Sequence, residues 1–139
     1  MTKPPLTAAP IRSAAGLADH WTALLDPPIF GSRSLWLTWL QDDGRPLELI
    51  IPMENLPRLP DHPMLFGLVS LHEAVSDTHL DGGGHLAMAL CRPGRPEITE
   101  DDDAWVDALS EVLDDRIDNG WSLHLAAGGR VTALIGLPE

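Results

Sequence analysis

Residues 85–109 read HLAMALCRPGRPEITEDDDAWVDAL, and the hydrophobic period changes halfway along them. His85 to Cys91 is an apolar run of strand length, as expected of a strand buried on both faces. Arg92-Pro93-Gly94-Arg95-Pro96 is loop chemistry. Thr99 stands three residues before Asp102, which is the capping-box spacing in its Asp form. Trp105, Ala108, Leu109, Val112, Leu113 and Ile117 then recur at helical intervals, and Asn119-Gly120 supplies a stop. A buried strand, a loop and a capped amphipathic helix follow one another without a break.

The same patterns extend outward. Upstream, Leu17, Trp21, Leu24 and Leu25 predict a helix over Ser13 to Leu25, ended by Asp26-Pro27-Pro28. Ser34 to Gln41 is a strand with Leu35, Leu37 and Trp39 on one face and Trp36 and Leu40 on the other. Asp42-Asp43-Gly44 signals a hairpin. Its return strand is Pro46 to Ile51, with Pro52 expected to stop it. Asp61 is the N-cap of a helix with Pro63 in its first turn, and Met64, Leu65, Leu68, Leu71, His72 and Val75 form its stripe. Gly82-Gly83-Gly84 breaks the pattern. It lacks the preceding strand, the following helix and the Lys of a phosphate loop, so it reads as a connector. Trp121 to Ala126 and Arg130 to Ile135 form a second hairpin across Gly128-Gly129. The order α-ββ-α-β-α-ββ predicts a single α/β domain over residues 13–139, a mixed sheet flanked by helices. A mobile arm over residues 1–12 is expected to precede it.

Composition narrows the function. The 139 residues include 21 acidic and 9 basic side chains, a net charge of −12. Nucleic acid and anionic membrane surfaces both need a positive footprint, so neither is an expected partner. Cys91 is the only cysteine, which rules out an internal disulfide. With no secretory h-region and no apolar run of about 18 residues, a cytoplasmic protein is expected.

Four stretches carry a family resemblance: LWLTWLQDDGRPLELI (35–50), DHPMLFGLVSLHEAV (61–75), residues 85–109, and GWSLHLAAGGRVTAL (120–134). Together they are similar in order to the JAB/MPN metalloprotease-like fold, particularly its RadC-like branch. The resemblance implies a zinc site built from an early Glu, a His-x-His-Pro turn after the core strand, and a following Ser-x-x-Asp. Two imidazoles and a carboxylate would leave an open position for water, with the Glu as general base. The matching stretch here is Leu90-Cys91-Arg92-Pro93, so both histidine positions are lost, and a guanidinium repels a cation. Thr99 and Asp102 stand at the Ser and Asp positions, and Glu48 is the counterpart of the early Glu. The loop between Pro93 and Thr99 is one residue shorter than the family spacing. No metal and no cofactor are expected, and the resemblance implies a pseudo-enzyme that acts by binding.

Other candidates have competing readings. Arg92 and Arg95, with Thr99, Asp102 and Glu48 nearby, could bind a small anion helped by the helix N-terminus. Alternatively, the two arginines pair locally with Glu97, Asp101 or Asp103. Ten acids and one base lie between Glu97 and Asp118. Glu100 to Asp103 suit the helix dipole, whereas Asp114, Asp115 and Asp118 oppose it. Asp103, Asp107, Glu111 and Asp114 are the candidate docking face for a basic protein partner. His72, His79 and His85, with Asp77 and Asp81, lack zinc spacing and read as a solvated helix end and turn. The enzymatic alternative is a metal-dependent hydrolase with ligands relocated to Glu48, His72, His79, His85, Cys91 and Asp102. Cys91, ending a buried strand, reads as a small core residue. Trp36, Trp39, Trp105 and Trp121 are expected in the core, or at a homodimer interface.

Overall fold

In a computed structural model, described over residues 10–11, 13–80, 84–114 and 120–136, the chain forms eight elements in the expected order. These are α1 (Ala14–Leu24), β1 (Ser34–Leu40), β2 (Pro46–Met53), α2 (His62–His79), β3 (His85–Cys91), α3 (Glu100–Leu113), β4 (Trp121–Ala127) and β5 (Arg130–Ile135). The strands make one mixed sheet in the order β2-β1-β3-β4-β5. β3 lies at its centre, antiparallel to β1 and parallel to β4. A parallel neighbour requires a crossover, and α3 provides it.

Side-chain alternation along the strands builds two cores of different grain. One face presents Leu35, Leu37, Trp39, Leu86, Met88, Leu90, Leu123 and Leu125 to Leu65, Leu68 and Val69 of α2 and to Trp105, Leu109 and Leu113 of α3. The other presents small residues, Ala87, Ala89, Cys91 and Ala126, beneath Leu17, Trp21 and Leu25. These small side chains leave room for the Trp21 indole, which is fully buried. Trp36 is half-buried, while the other four tryptophans are in the core.

Local chemistry sets the helix starts. Ser13 Oγ accepts from Gly16 N–H at 3.0 Å, and Asp61 Oδ1 accepts from Met64 N–H at 2.8 Å. At α3 both halves of the capping box form: Asp102 N–H donates to Thr99 Oγ1 at 3.2 Å, and Thr99 N–H donates to Asp102 Oδ2 at 2.9 Å. Gly44 turns the first hairpin at φ +89°, where a Cβ would come within 2.8 Å of the Ile11 carbonyl oxygen.

Three expectations need correction or limits. β2 continues through Pro52 to Met53, because an edge strand leaves one side of its backbone unpaired and tolerates a missing N–H. Of the expected arm, only Pro10 and Ile11 are described. Ile11 is buried, and its N–H donates to Gly44 O at 2.8 Å, so it belongs to the folded body. Ile117 and Asn119 of the expected helix end, together with Asp81, Gly82 and Gly83, lie outside the described residues. No described helix is long and apolar enough to cross a membrane.

Candidate functional site

Ligands in α/β folds commonly bind where parallel strands end, beside a helix N-terminus. Here that place is the loop from Arg92 to Thr99, between the end of β3 and the start of α3. Gly128 of the β4–β5 hairpin closes against it. A Cβ on Gly128, whose φ is +59°, would lie 2.6 Å from Pro96 Cδ.

The Arg92 side chain turns inward and is 5% exposed, and its partner Asp102 is 0% exposed. The pairing is bidentate, with Arg92 Nε donating to Asp102 Oδ1 at 2.8 Å and Nη2 donating to Oδ2 at 2.7 Å. Nη1 donates to the carbonyls of Pro93 at 3.0 Å and Arg95 at 2.8 Å. Nη2 also donates to the Glu97 carbonyl at 2.8 Å. A guanidinium has five N–H donors, so every one is committed, two to Asp102 on α3 and three to loop carbonyls. Burial pushes the Asp102 carboxyl upward, but the Arg92 guanidinium and the Thr99 N–H outweigh it and hold the group below its ordinary value.

This arrangement decides between the two readings of Arg92. It pairs locally, and its carboxylate partner is Asp102 in place of the expected Glu97, Asp101 or Asp103. Asp101 instead accepts from Arg58 Nη1 at 2.9 Å, and the Arg58 carbonyl accepts from Trp105 Nε1 at 2.9 Å. Asp102 Oδ2 also accepts from the Thr99 N–H at the start of α3. Arg95 is exposed, and its carbonyl serves the clamp. Glu48 is exposed on β2, where Leu47, Leu49 and Ile51 alternate with it into the α2–α3 core. It therefore lies on the opposite face of the sheet from Asp102.

The acidic face is present on α3. Asp103, Asp107, Glu111 and Asp114 are all exposed at successive turns. Asp114, unfavourably placed for the helix dipole, accepts a hydrogen bond from Trp121 Nε1 at 3.0 Å. Among the described residues the other three carboxylates carry no such tie to the fold, which makes them the freer part of the face.

The histidines divide. His79 is exposed and, with Gln41, Asp42, Asp43 and Leu80, lines an open cleft of about 280 Å³. His72 is buried, contrary to a solvated helix end, and its Nδ1 accepts from Trp39 Nε1 at 3.1 Å. His85 is half-buried, 2.9 Å from Ser122 Oγ through Nε2. Burial pushes its pKa down to about 4, and the neighbouring His72 adds to the effect. Among the described residues, no three His, Cys, Asp or Glu side chains are grouped to hold a metal. Burial pushes the Cys91 thiol up to about 12, which removes its nucleophilic form at neutral pH.

Sequence reasoning missed the Trp39–His72 pair, Arg58, and three polar nitrogens beneath or within α1. Among the described residues His20 Nδ1, Trp21 Nε1 and His124 Nδ1 are buried without a partner, although His124 Nε2 lies 3.3 Å from the Ala14 carbonyl oxygen. His124 could have been suspected from its place between leucines in a buried strand. Comparison of the chain with protein families, curated proteins and solved structures finds no match.

Proposed function

We propose that this chain is a non-catalytic JAB/MPN-like module that binds a basic protein partner through the exposed flank of α3. The observation that carries the reading is the Arg92 clamp. In the family resemblance, residue 92 is the second metal-binding histidine position. Here a cation of the protein's own occupies it, paired with the carboxylate at the Asp position and saturated by three carbonyls. That leaves Asp103, Asp107 and Glu111 as exposed charges with no hydrogen bond or ion pair among the described residues.

Two measurements test the proposal. Protein purified without a histidine tag is expected to carry only trace metal by inductively coupled plasma mass spectrometry. Near-stoichiometric zinc would instead favour the hydrolase with relocated ligands. Reversing Asp103, Asp107 and Glu111 to Lys should cost no more than about 1 kcal/mol of stability, because exposed charges near a helix dipole contribute little. The same triple variant should lose a partner that wild type captures from lysate and releases at high salt. Capture by the variant at wild-type yield would place the docking face elsewhere.

A further inference from the structure

The two edges of the sheet are built differently. β2, at one edge, carries Pro46 and Pro52 near its ends and an exposed Glu48 in its first half. Prolines and charges are the usual protection of an edge against pairing with another chain. β5, at the other edge, has none of these past its first residue. Val131-Thr132-Ala133-Leu134-Ile135 contains no proline and no charge, and among the described residues it pairs only with β4. Ala133 is exposed and its neighbours are half-buried, so apolar side chains accompany the free backbone groups.

Charge singles out the same flank. α1 packs along β5, with Ala14 Cβ lying 3.5 Å from the place a Cβ on Gly136 would take. Residues 13–25 and 120–136, which hold α1 and the β4–β5 hairpin, contain one acidic residue, Asp19, and one basic residue, Arg130. These two segments therefore carry no net charge, although the whole chain carries −12. The residues α1 exposes are also small and mostly uncharged: Ser13, Ala15, Asp19, Thr22 and Ala23.

We infer that the free edge of β5 is a homodimer interface, where it pairs antiparallel with β5 of a second copy to make one continuous sheet across a two-fold axis. Two copies bearing −12 each repel, and segments without net charge meet the least repulsion on close approach. A two-fold axis brings the same strand against itself, so the interface requires one self-complementary patch. An extended basic peptide would be better served by a run of acids, and the acidic run of α3 lies on another element. The surface is separate from the α3 flank, so the inference stands or falls independently of the proposed partner.

The test is sedimentation equilibrium of the full chain from about 1 to 100 µM in about 0.15 M salt, for wild type, Ala133→Asp and Ile50→Asp. Ala133→Asp places like charges close to the two-fold axis at an exposed position, where they repel. It should weaken the dimer by at least about 100-fold. Ile50→Asp alters the opposite edge and should leave the dimer intact. Amide exchange on wild type provides a readout that needs no variant: β5 amides should lose protection on dilution through the dissociation range. A wild-type monomer throughout the range would overturn the inference. So would a dimer indifferent to Ala133→Asp, a dimer broken by Ile50→Asp, or β5 protection independent of concentration.

Discussion

Asp102→Asn is expected to lower the unfolding free energy by about 3–5 kcal/mol, because it leaves the buried Arg92 charge without its counter-ion. For a chain of this size that is a fall in Tm of roughly 10 °C or more. Asparagine keeps the side-chain shape and can still accept from the Thr99 N–H, so the loss measures the charge and not the cap. A simple capping residue gives a different result: loss of the Thr99 cap alone costs about 1 kcal/mol. Denaturant unfolding of wild type, Thr99→Ala and Asp102→Asn separates the two. Equal losses would show that Arg92 and Asp102 are not coupled in solution.

The double variant Arg92→Met/Asp102→Leu makes the argument sharper. Where a buried ion pair merely offsets its own desolvation, an apolar replacement restores or exceeds wild-type stability. Here Arg92 also serves the carbonyls of Pro93, Arg95 and Glu97. Methionine would leave three loop carbonyls without their donors, each costing about 1–3 kcal/mol if it stays buried. The double variant should therefore remain below wild type, with its deficit concentrated in the loop. Full recovery would mean that the carbonyls find water and that the clamp is an ion pair and nothing more.

How much of this was legible depended on how far apart the cooperating residues lie in sequence. β3 and α3 announce themselves through period and cap, and the apolar residues on both faces of β1 correctly implied cover on both sides. Even the partner of Arg92 was within reach. Asp102 shares a helix face with Trp105 and Leu109, at intervals of three and four residues, whereas Asp101 and Asp103 flank that face. Helical phase therefore selects Asp102 among the acids, once the arginine is taken to point inward. The tolerance of Pro52 was not legible, because it depends on β2 lying at an edge, and strand order is a property of the whole fold. The burial of His72 could be read from its place in the α2 stripe. Its acceptance of the Trp39 N–H could not, since the two residues are 33 apart in the chain.

Acidification from pH 7 toward 4.5 is expected to remove stability through histidine alone. Burial lowers the pKa values of His20, His72, His85 and His124. Glu73 partly opposes the shift at His72, and the Ala14 carbonyl does so at His124. In the unfolded chain each titrates near 6.5, so below that pH the unfolded state takes up protons that the folded state refuses. The contribution is complete above pH 6.5 and declines as pH falls toward the folded values. For His85, held at about 4, it amounts to about 2–3 kcal/mol. Geometry adds to this at His72, whose Nδ1 must stay unprotonated to accept the Trp39 N–H. Asp102 acts in a separate window, because its stabilisation is lost only below the ordinary carboxylate range. One effect runs the other way: protonating some of the 21 acidic residues relieves the self-repulsion of a chain at −12. Urea unfolding in about 0.5 M salt screens that term and isolates the histidines. Under those conditions stability should fall steadily between pH 6.5 and 4.5, and His85→Gln should flatten the slope. A stability that is level across this interval would show that the buried imidazoles gain protons in the folded state as readily as in the unfolded one, and that the layers above and below the sheet open enough to let water reach them.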